Sequence, residues 1–477
     1  MASREHLFLR NVISTFTTDL ASVGLNLVAG VLVARLLAPQ ERGLLALVML
    51  LPVTLAYFAD LGISQAIVYL LGRKKRSPQA VAGVALSLAL VVGAGLALVL
   101  WLGGGWVIPT FLSQAPPAYY ALALALLPLL LFDNYLLSLL RAQQHFAPFN
   151  LRRLLAPVFL LAGVLVLVWL AGLGLNGAVL AFALSALLSL GLSVLLVFRW
   201  VPLGLRFRSL RFDRHIAGEA LGFGLKSYLQ NLVGHLHYRL DVYILALFLP
   251  PAEVAFYVIA TSLAEVVFYL PDAVGTVLFP KLSSEPEARI HLLTAEVTRH
   301  TLAVTALAAL GLLAAGTWLI PTVYGPAYRP AVAPFLVILP GVLAMTVYKV
   351  LTRNFTSRDR QQVSILAASL SLILNLVLNF LLIPRFGVVG AALASLLSYT
   401  ASAVLLLLVF RHESKLPMRW ILILHPGDLS RYVVAWQAGR RGVYLLAKTG
   451  LARFNRQSSP RLEPVKPAEH RKFPTGE

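Results

Sequence analysis

The stretch Leu45–Arg76, LALVMLLPVTLAYFADLGISQAIVYLLGRKKR, decides how this chain is read. From Leu45 to Gly72 it holds one charged residue, Asp60, and it closes on Arg73, Lys74, Lys75 and Arg76. A membrane helix needs about 20 mostly apolar residues, and Lys and Arg at its end mark the side that stays inside. The run is long enough to cross. An Asp at the centre of such a helix costs about 2.5–3.5 kcal/mol. Two readings of Asp60 follow: a polar fixture that binds backbone where the helix breaks near Gly62, or a cavity-facing or ion-linked gate.

The pattern repeats along the chain. Of 477 residues, 59% are hydrophobic and only 13% charged, with a mean hydropathy of +0.81. A soluble chain is roughly half apolar and a quarter charged, so the class is polytopic membrane protein. Twelve spans are expected, near residues 11–33, 43–70, 79–101, 119–140, 153–173, 176–198, 218–248, 253–280, 292–319, 331–352, 362–383 and 388–410. They are long and rich in Leu, Ala, Val and Gly, unlike the short alternating strands of a barrel. The absence of cysteine excludes disulfides and thiolate metal sites. The opening MASREHLFLRNV lacks the small-residue cleavage site of a signal peptide. The net charge of +20 raises nucleic acid as a partner, but the basic residues cluster between apolar runs, as topology signals do, and no nucleic acid is expected.

Connections after even-numbered spans carry 17 Lys and Arg, from Arg73 to Arg360; those after odd-numbered spans carry only Arg35, Arg42, Arg329 and Arg385. This alternation predicts that both termini are cytoplasmic. Residues 413–477 form a basic tail. Its first part has the Trp, Tyr, Leu and Arg mixture of a helix lying on anionic lipid, or of a loose basic segment, and its Pro-rich end reads as disordered.

A shift of 212 residues lays one half on the other. LLAPQERG (36–43) falls on FLPPAEVA (248–255), WVIPT (106–110) on WLIPT (318–322), and LLVFR (195–199) on LLVFR (407–411). Pro128 meets Pro340 and Arg141 meets Arg353. Six spans per copy is an even number, so the copies enter the membrane in the same sense. Parallel repeats of this kind build transporters whose site lies between two rocking halves. The expected architecture is an all-α N-lobe, 1–210, and an all-α C-lobe, 211–412. The same offset places Asp60 on Asp272 and Tyr57 on Tyr269, so the opening residue is a repeated feature.

Ionisable residues inside a membrane are functional candidates, though they also serve as structural pairs. Span 7, GEALGFGLKSYLQNLVGHLHYRLDVYILALFLP, is the densest. Lys226, Gln230, His237 and Asp241 lie within about 60° of one helical face, with His235 and Arg239 as i, i+4 neighbours on another. One reading is a cationic lining for an anionic head group. The other pairs His237 with Asp241 and lets Lys226 snorkel to the interface. Lys349, four residues before Arg353, reads as interfacial. Asp133 and Glu265 are candidates for a cation-coupling site that would use H+ or Na+, or are hydrogen-bonded structural acids. GFGLKS (222–227) lacks the Gly before Lys226 that a phosphate loop needs. No metal-ligand spacing or activated serine stands out. Neither catalysis nor a cofactor is expected.

Taken together, the residues resemble the polysaccharide-biosynthesis flippases, the Wzx-type branch of the MOP superfamily to which the MATE exporters belong. Ala34, Arg35, Leu36, Leu37, Pro39, Gly43, Asp60, Gly62 and Ala66 carry the resemblance, with IPRFGVVGAALAS (383–395), RSLRFDR (208–214) and the segment 241–265. It covers about residues 8–412. It implies a two-lobe bundle in the cytoplasmic membrane of a prokaryote that moves a polyprenyl-pyrophosphate-linked oligosaccharide outward. The pyrophosphate would enter a cationic cavity while the lipid tail stays in the bilayer. Membrane lipids, a polysaccharide polymerase and glycosyltransferases would be its partners. The competing expectations are a cation-coupled MATE-like exporter, which would want acids at the cavity centre, and a membrane glycosyltransferase, which would want acid-bearing outer loops.

Overall fold

The computed structural model describes residues 2–112, 114–202, 212–425 and 427–428; the side chains of 2–10, 12, 226, 227, 230, 231, 284, 287 and 288 lie outside that description. Among the described residues the chain is helical throughout: α1 Ala2–Leu36, α2 Pro39–Ala59, α3 Ile63–Gly72, α4 Pro78–Leu102, α5 Gly104–Phe111, α6 Pro117–Ala142, α7 Phe146–Gly163, α8 Gly174–Trp200, α9 Arg214–Phe248, α10 Pro251–Glu265, α11 Tyr269–Ser284, α12 Glu287–Val323, α13 Val332–Ser357, α14 Gln361–Ser414 and α15 Met418–Leu422. Ten helical stretches are long and apolar enough to cross a membrane. The chain is a multi-pass membrane protein.

Two features explain why ten stretches stand where twelve spans are expected. The 54-residue α14 bends at Gly387 (φ 58°, ψ −139°), three residues after Pro384, and so contains both of the last two expected spans. The 35-residue α9, at a rise of about 1.5 Å per residue, is long enough to cross, but its cluster of charged and polar residues keeps it out of the apolar set.

Local sequence sets the helix starts. Pro39 and Pro251, repeat counterparts, both occupy the first turn of their helices, where a missing N–H costs nothing. Glu41 Oε2 accepts from the Ala38 N–H at 3.2 Å. Ser77 caps α4 by accepting from Ala80 N, and Asp213 caps α9 by accepting from His215 N and Ile216 N.

Helices α1–α8 pack mainly on one another, α2, α3, α4 and α8 around α6, and α1 and α8 on α7. Helices α10, α11, α12 and α14 pack around α13, and α9 packs on α14. The two groups meet through α2 on α10 and α3 on α9. At the end opposite the basic connections this contact is closed. Gly43 lies so close to Pro251 that a Cβ would fall 1.6 Å from the Pro251 carbonyl oxygen. Arg35 donates to the carbonyls of Thr322 and Val323 at the end of α12, and Tyr328 donates to Leu37 O at 3.1 Å.

The expected span 43–70 is not one helix. It breaks at Leu61 and Gly62, both with positive φ. In the second half the matching positions, Ala273 and Val274, lie within the unbroken α11, and the 3-10 turn Val266–Phe268 falls seven residues earlier. The segment joining the expected lobes, 203–211, and the tail from 429 lie outside the described residues. The chain divides into a main unit, Met1–Leu422, and a second, Ile423–Glu477.

Candidate functional site

A cavity of about 700 Å³ lies between the two helix groups. Val53 and Tyr57 of α2 form one wall, α9 supplies His235, Tyr238 and Arg239, and the rest comes from Glu265 through α11, from α13, and from Ser364, Ile365 and Ala368 of α14. Five charged side chains line it: Arg239, Glu265, Asp272, Lys349 and Arg353. Four are tied in pairs. Arg239 makes a two-pronged contact with Glu265, at 3.3 and 3.1 Å. Lys349 Nζ stands 2.7 Å from Asp272 Oδ2, and 4.6 Å from the centre of the Phe268 ring. Burying these cations is affordable because each has a carboxylate and the aromatic faces add a favourable quadrupole.

The expected residues of α9 part company. His235 and Arg239 reach the cavity; His235 stacks on Tyr57 at 4.0 Å, and its Nε2 is 2.9 Å from Thr54 Oγ1. His237 and Asp241 turn away into the core of the second helix group. They do not pair with each other. Asp241, 1% exposed, accepts from Ser395 Oγ at 2.5 Å, from Tyr257 and from Asn379, while His237 lies flat on Tyr399 with 5.0 Å between ring centres. Neutral donors fill the carboxylate's lone pairs, so no imidazolium is needed there. The side chains of Lys226 and Gln230 lie outside the described residues, although their backbone is part of α9.

Asp133 is buried in the first helix group, held by Arg152 and by Ser193 Oγ at 2.5 Å. Arg152, one of the 17 basic residues that the sequence assigns to connections, sits in α7 and points inward to this acid.

Asp60 and Asp272, one repeat position, do different work. Asp60 is 8% exposed and sits in the break between α2 and α3. Its Oδ2 accepts from Gly62 N at 3.1 Å and Ser64 Oγ at 3.0 Å, and its Oδ1 accepts from Asn134. Tyr135 donates to its carbonyl. These bonds cap α3 and satisfy groups that the break leaves open. Asp272 lies within α11, faces the cavity and pairs with Lys349.

Lys349 and Arg353 were not among the sequence candidates, because they lie close to a basic connection. One signal in the sequence does mark Lys349. The positions matching Arg239, Glu265 and Lys349 in the first half are Leu27, Val53 and Leu137. Each of the three is charged in one copy only, a property they share with Asp133, Arg152 and Asp241, whereas Arg353 is matched by Arg141.

The cavity does not end at its polar walls. A groove of about 1080 Å³ runs between α1 and α11, its surface mostly apolar through Phe16, Leu20, Val23, Phe146 and Ala273, with Asn11, Thr15, Ser22, Asn26, Gln144 and Thr276 and the Asp19–Arg153 ion pair also in its lining. Tyr269 and Asp272 line both spaces. On the opposite side the groups are zipped: a Cβ on Gly62 would fall 2.0 Å from Gly224 O, Tyr69 stacks on Phe223, and Arg76 pairs with Glu219.

Residues 32–333 match the family model described as polysaccharide biosynthesis protein. The chain belongs to that family. Over 194 residues it is 25% identical to the probable low-salt glycan biosynthesis flippase Agl15 of Haloferax volcanii, covering 40% of this chain and 41% of that one. The chain spans about two fifths of the length of the curated relatives it matches. Among solved structures it shares its fold with the lipid II flippase MurJ in an inward closed conformation (TM-score 0.69, 16% identity, 86% of this chain and 89% of that). It shares it equally with an inward-facing multidrug MATE transporter of the MOP superfamily (TM-score 0.67, 15% identity, 85% and 98%). The polysaccharide biosynthesis family and the MOP fold thus meet in this chain, and the proteins it resembles are named as flippases and transporters, not enzymes.

Proposed function

We propose that this member of the polysaccharide biosynthesis family is a flippase. Its cargo is a polyprenyl-pyrophosphate-linked oligosaccharide, moved across the cytoplasmic membrane of a prokaryote by alternating access of the lobes 1–210 and 211–412 through twelve crossings. The observation that carries this reading is the joined pair of spaces. A charged, aromatic cavity opens past Tyr269 and Asp272 onto an apolar groove between α1 and α11. A molecule with a polar head and a long apolar tail fits that division: the head is shielded inside while the tail stays in lipid. The contacts of Arg35, Gly43 and Tyr328 close the opposite end, so the present state would load from the side of the basic connections.

Arg239, His235 and the α9 positions Lys226 and Gln230 remain the proposed head-group lining, with Asp60, Asp133, His237 and Asp241 as structural polar groups and Glu265 and Asp272 as the acids that hold the cavity's cations. Coupling to H+ or Na+ belongs to the same proposal, as do a polymerase and glycosyltransferases as partners. A MATE-like exporter of cationic drugs is the second reading, because Glu265 and Asp272 line the cavity; their pairing with Arg239 and Lys349 weighs against it.

Proteoliposomes decide between them. The flippase reading expects transfer of a lipid-pyrophosphate oligosaccharide between leaflets and none of a lipophilic cation. Cation efflux without lipid transfer would overturn it.

A further inference from the structure

We propose that Arg353 and Lys349 of α13 form a diphosphate subsite, with Asp272 as a built-in competitor for it. The proposal rests on the flippase reading and assigns the cargo's most charged group to two side chains.

Of the five charges in the cavity, Arg353 is in no ion pair among the described residues. Its Nε is buried and meets no hydrogen-bond acceptor there. A buried donor without an acceptor is rare in a folded protein and marks a place where a ligand can supply one. The guanidinium packs on the backbone of α11. It lies against Gly275 of α11, with Nε 2.7 Å from where a Cβ would sit, so a side chain on α11 would displace it.

Lys349 is one helical turn away, at i−4. Residues so spaced share a helix face with Cβ atoms about 5–6 Å apart. Two cations stacked in this way match the two adjacent phosphoryl groups of a diphosphate. The planar fork of Arg takes one phosphate through paired N–H bonds, and the Lys ammonium acts as a point charge for the other. In the present state Asp272 Oδ2 occupies the Lys349 ammonium at 2.7 Å, where a phosphate oxygen would stand. A diphosphate therefore docks first on the open Arg353 and then exchanges with Asp272 at Lys349. A monophosphate reaches Arg353 alone and leaves the second pair intact. The chemistry selects a diphosphate over a monophosphate.

The test uses the full chain in lipid nanodiscs and two short soluble probes, geranyl diphosphate and geranyl monophosphate. The wild type is expected to bind the diphosphate about tenfold more tightly than the monophosphate, the scale of one added charge-assisted contact. Arg353→Ala and Lys349→Ala should each lose about tenfold in diphosphate affinity. Asp272→Asn, which removes the competitor, should bind the diphosphate more tightly than the wild type, a gain that damaged folding would not produce. If the wild type prefers the diphosphate while both alanine variants bind it unchanged, or if Asp272→Asn gives no gain, the subsite is wrong and the flippase reading stands. If the wild type binds neither probe at millimolar concentration, the subsite and the pyrophosphate-linked cargo fall together.

Discussion

Gln40 Oε1 accepts a hydrogen bond from the backbone N–H of Ala252 at 3.2 Å, and the two residues are 212 positions apart. That is the repeat offset, so each is the other's counterpart. The bond lies where the two copies face each other, at the first turns of α2 and α10. Gly43 and Pro251 touch beside it, and Arg35 reaches across to the carbonyls that end α12.

This seal should be separable from the fold. Gly43→Leu would force α2 away from Pro251, and Arg35→Ala would free the end of α12. Both variants should fold and favour the state open at the other end. The chain has no native cysteine, so a single cysteine at Val53 in the cavity reports access without background. Membrane-impermeant maleimide added at the sealed end should label it several-fold faster in either variant than in the parent.

Gly62 and Gly387 both have positive φ, but only Gly62 is also pressed against a neighbouring backbone. Gly387→Ala meets open space and should cost about 1–3 kcal/mol of backbone strain. Gly62→Ala adds a clash with Gly224 and should cost more, with loss of the α3–α9 contact. Thermal unfolding in detergent, followed by tryptophan fluorescence, ranks the two; equal losses would count against the α3–α9 crossing as a fixed seam.

The paired aspartates should behave differently. Asp60→Ala leaves Gly62 N, Ser64 and Asn134 without their acceptor and should lower stability by about 1–3 kcal/mol. Asp272→Ala should alter lipid transfer and cost less folded yield than Asp60→Ala, because the Asp272 side chain is 43% exposed; the loss that remains comes from Lys349, 15% exposed, left without its carboxylate. Size-exclusion yield and a transport assay on the same preparations separate the two effects.

Arg152→Ala would strand the buried Asp133 carboxylate. Breaking such a pair costs about 3–5 kcal/mol. Asp133→Asn in the Arg152→Ala background should recover part of that loss. A double-mutant cycle in urea, read by fluorescence, measures the coupling.

The membrane class, the helical spans and the duplication were legible because they are properties of chain order. Runs of apolar residues, basic clusters at their ends and matches at a fixed offset need no partner to be seen. The same order made Asp60 and Asp272 look alike and put Lys349 and Arg353 at an interface. Helical spacing did separate the face of His237 and Asp241 from that of His235 and Arg239, but it did not say which face turns to the cavity.

Order along the chain determined that this is a duplicated membrane bundle of the polysaccharide biosynthesis family. Only the tertiary structure decided which charges meet. Lys349 finds Asp272 across 77 residues, and Arg239 finds Glu265 across 26, because α9, α11 and α13 are rotated and packed around one space. An ion pair depends on a few ångströms of separation and on which way each helix faces. Neither is written in spacing, so the sequence could name the charged residues, and packing alone made some of them a site and others a core.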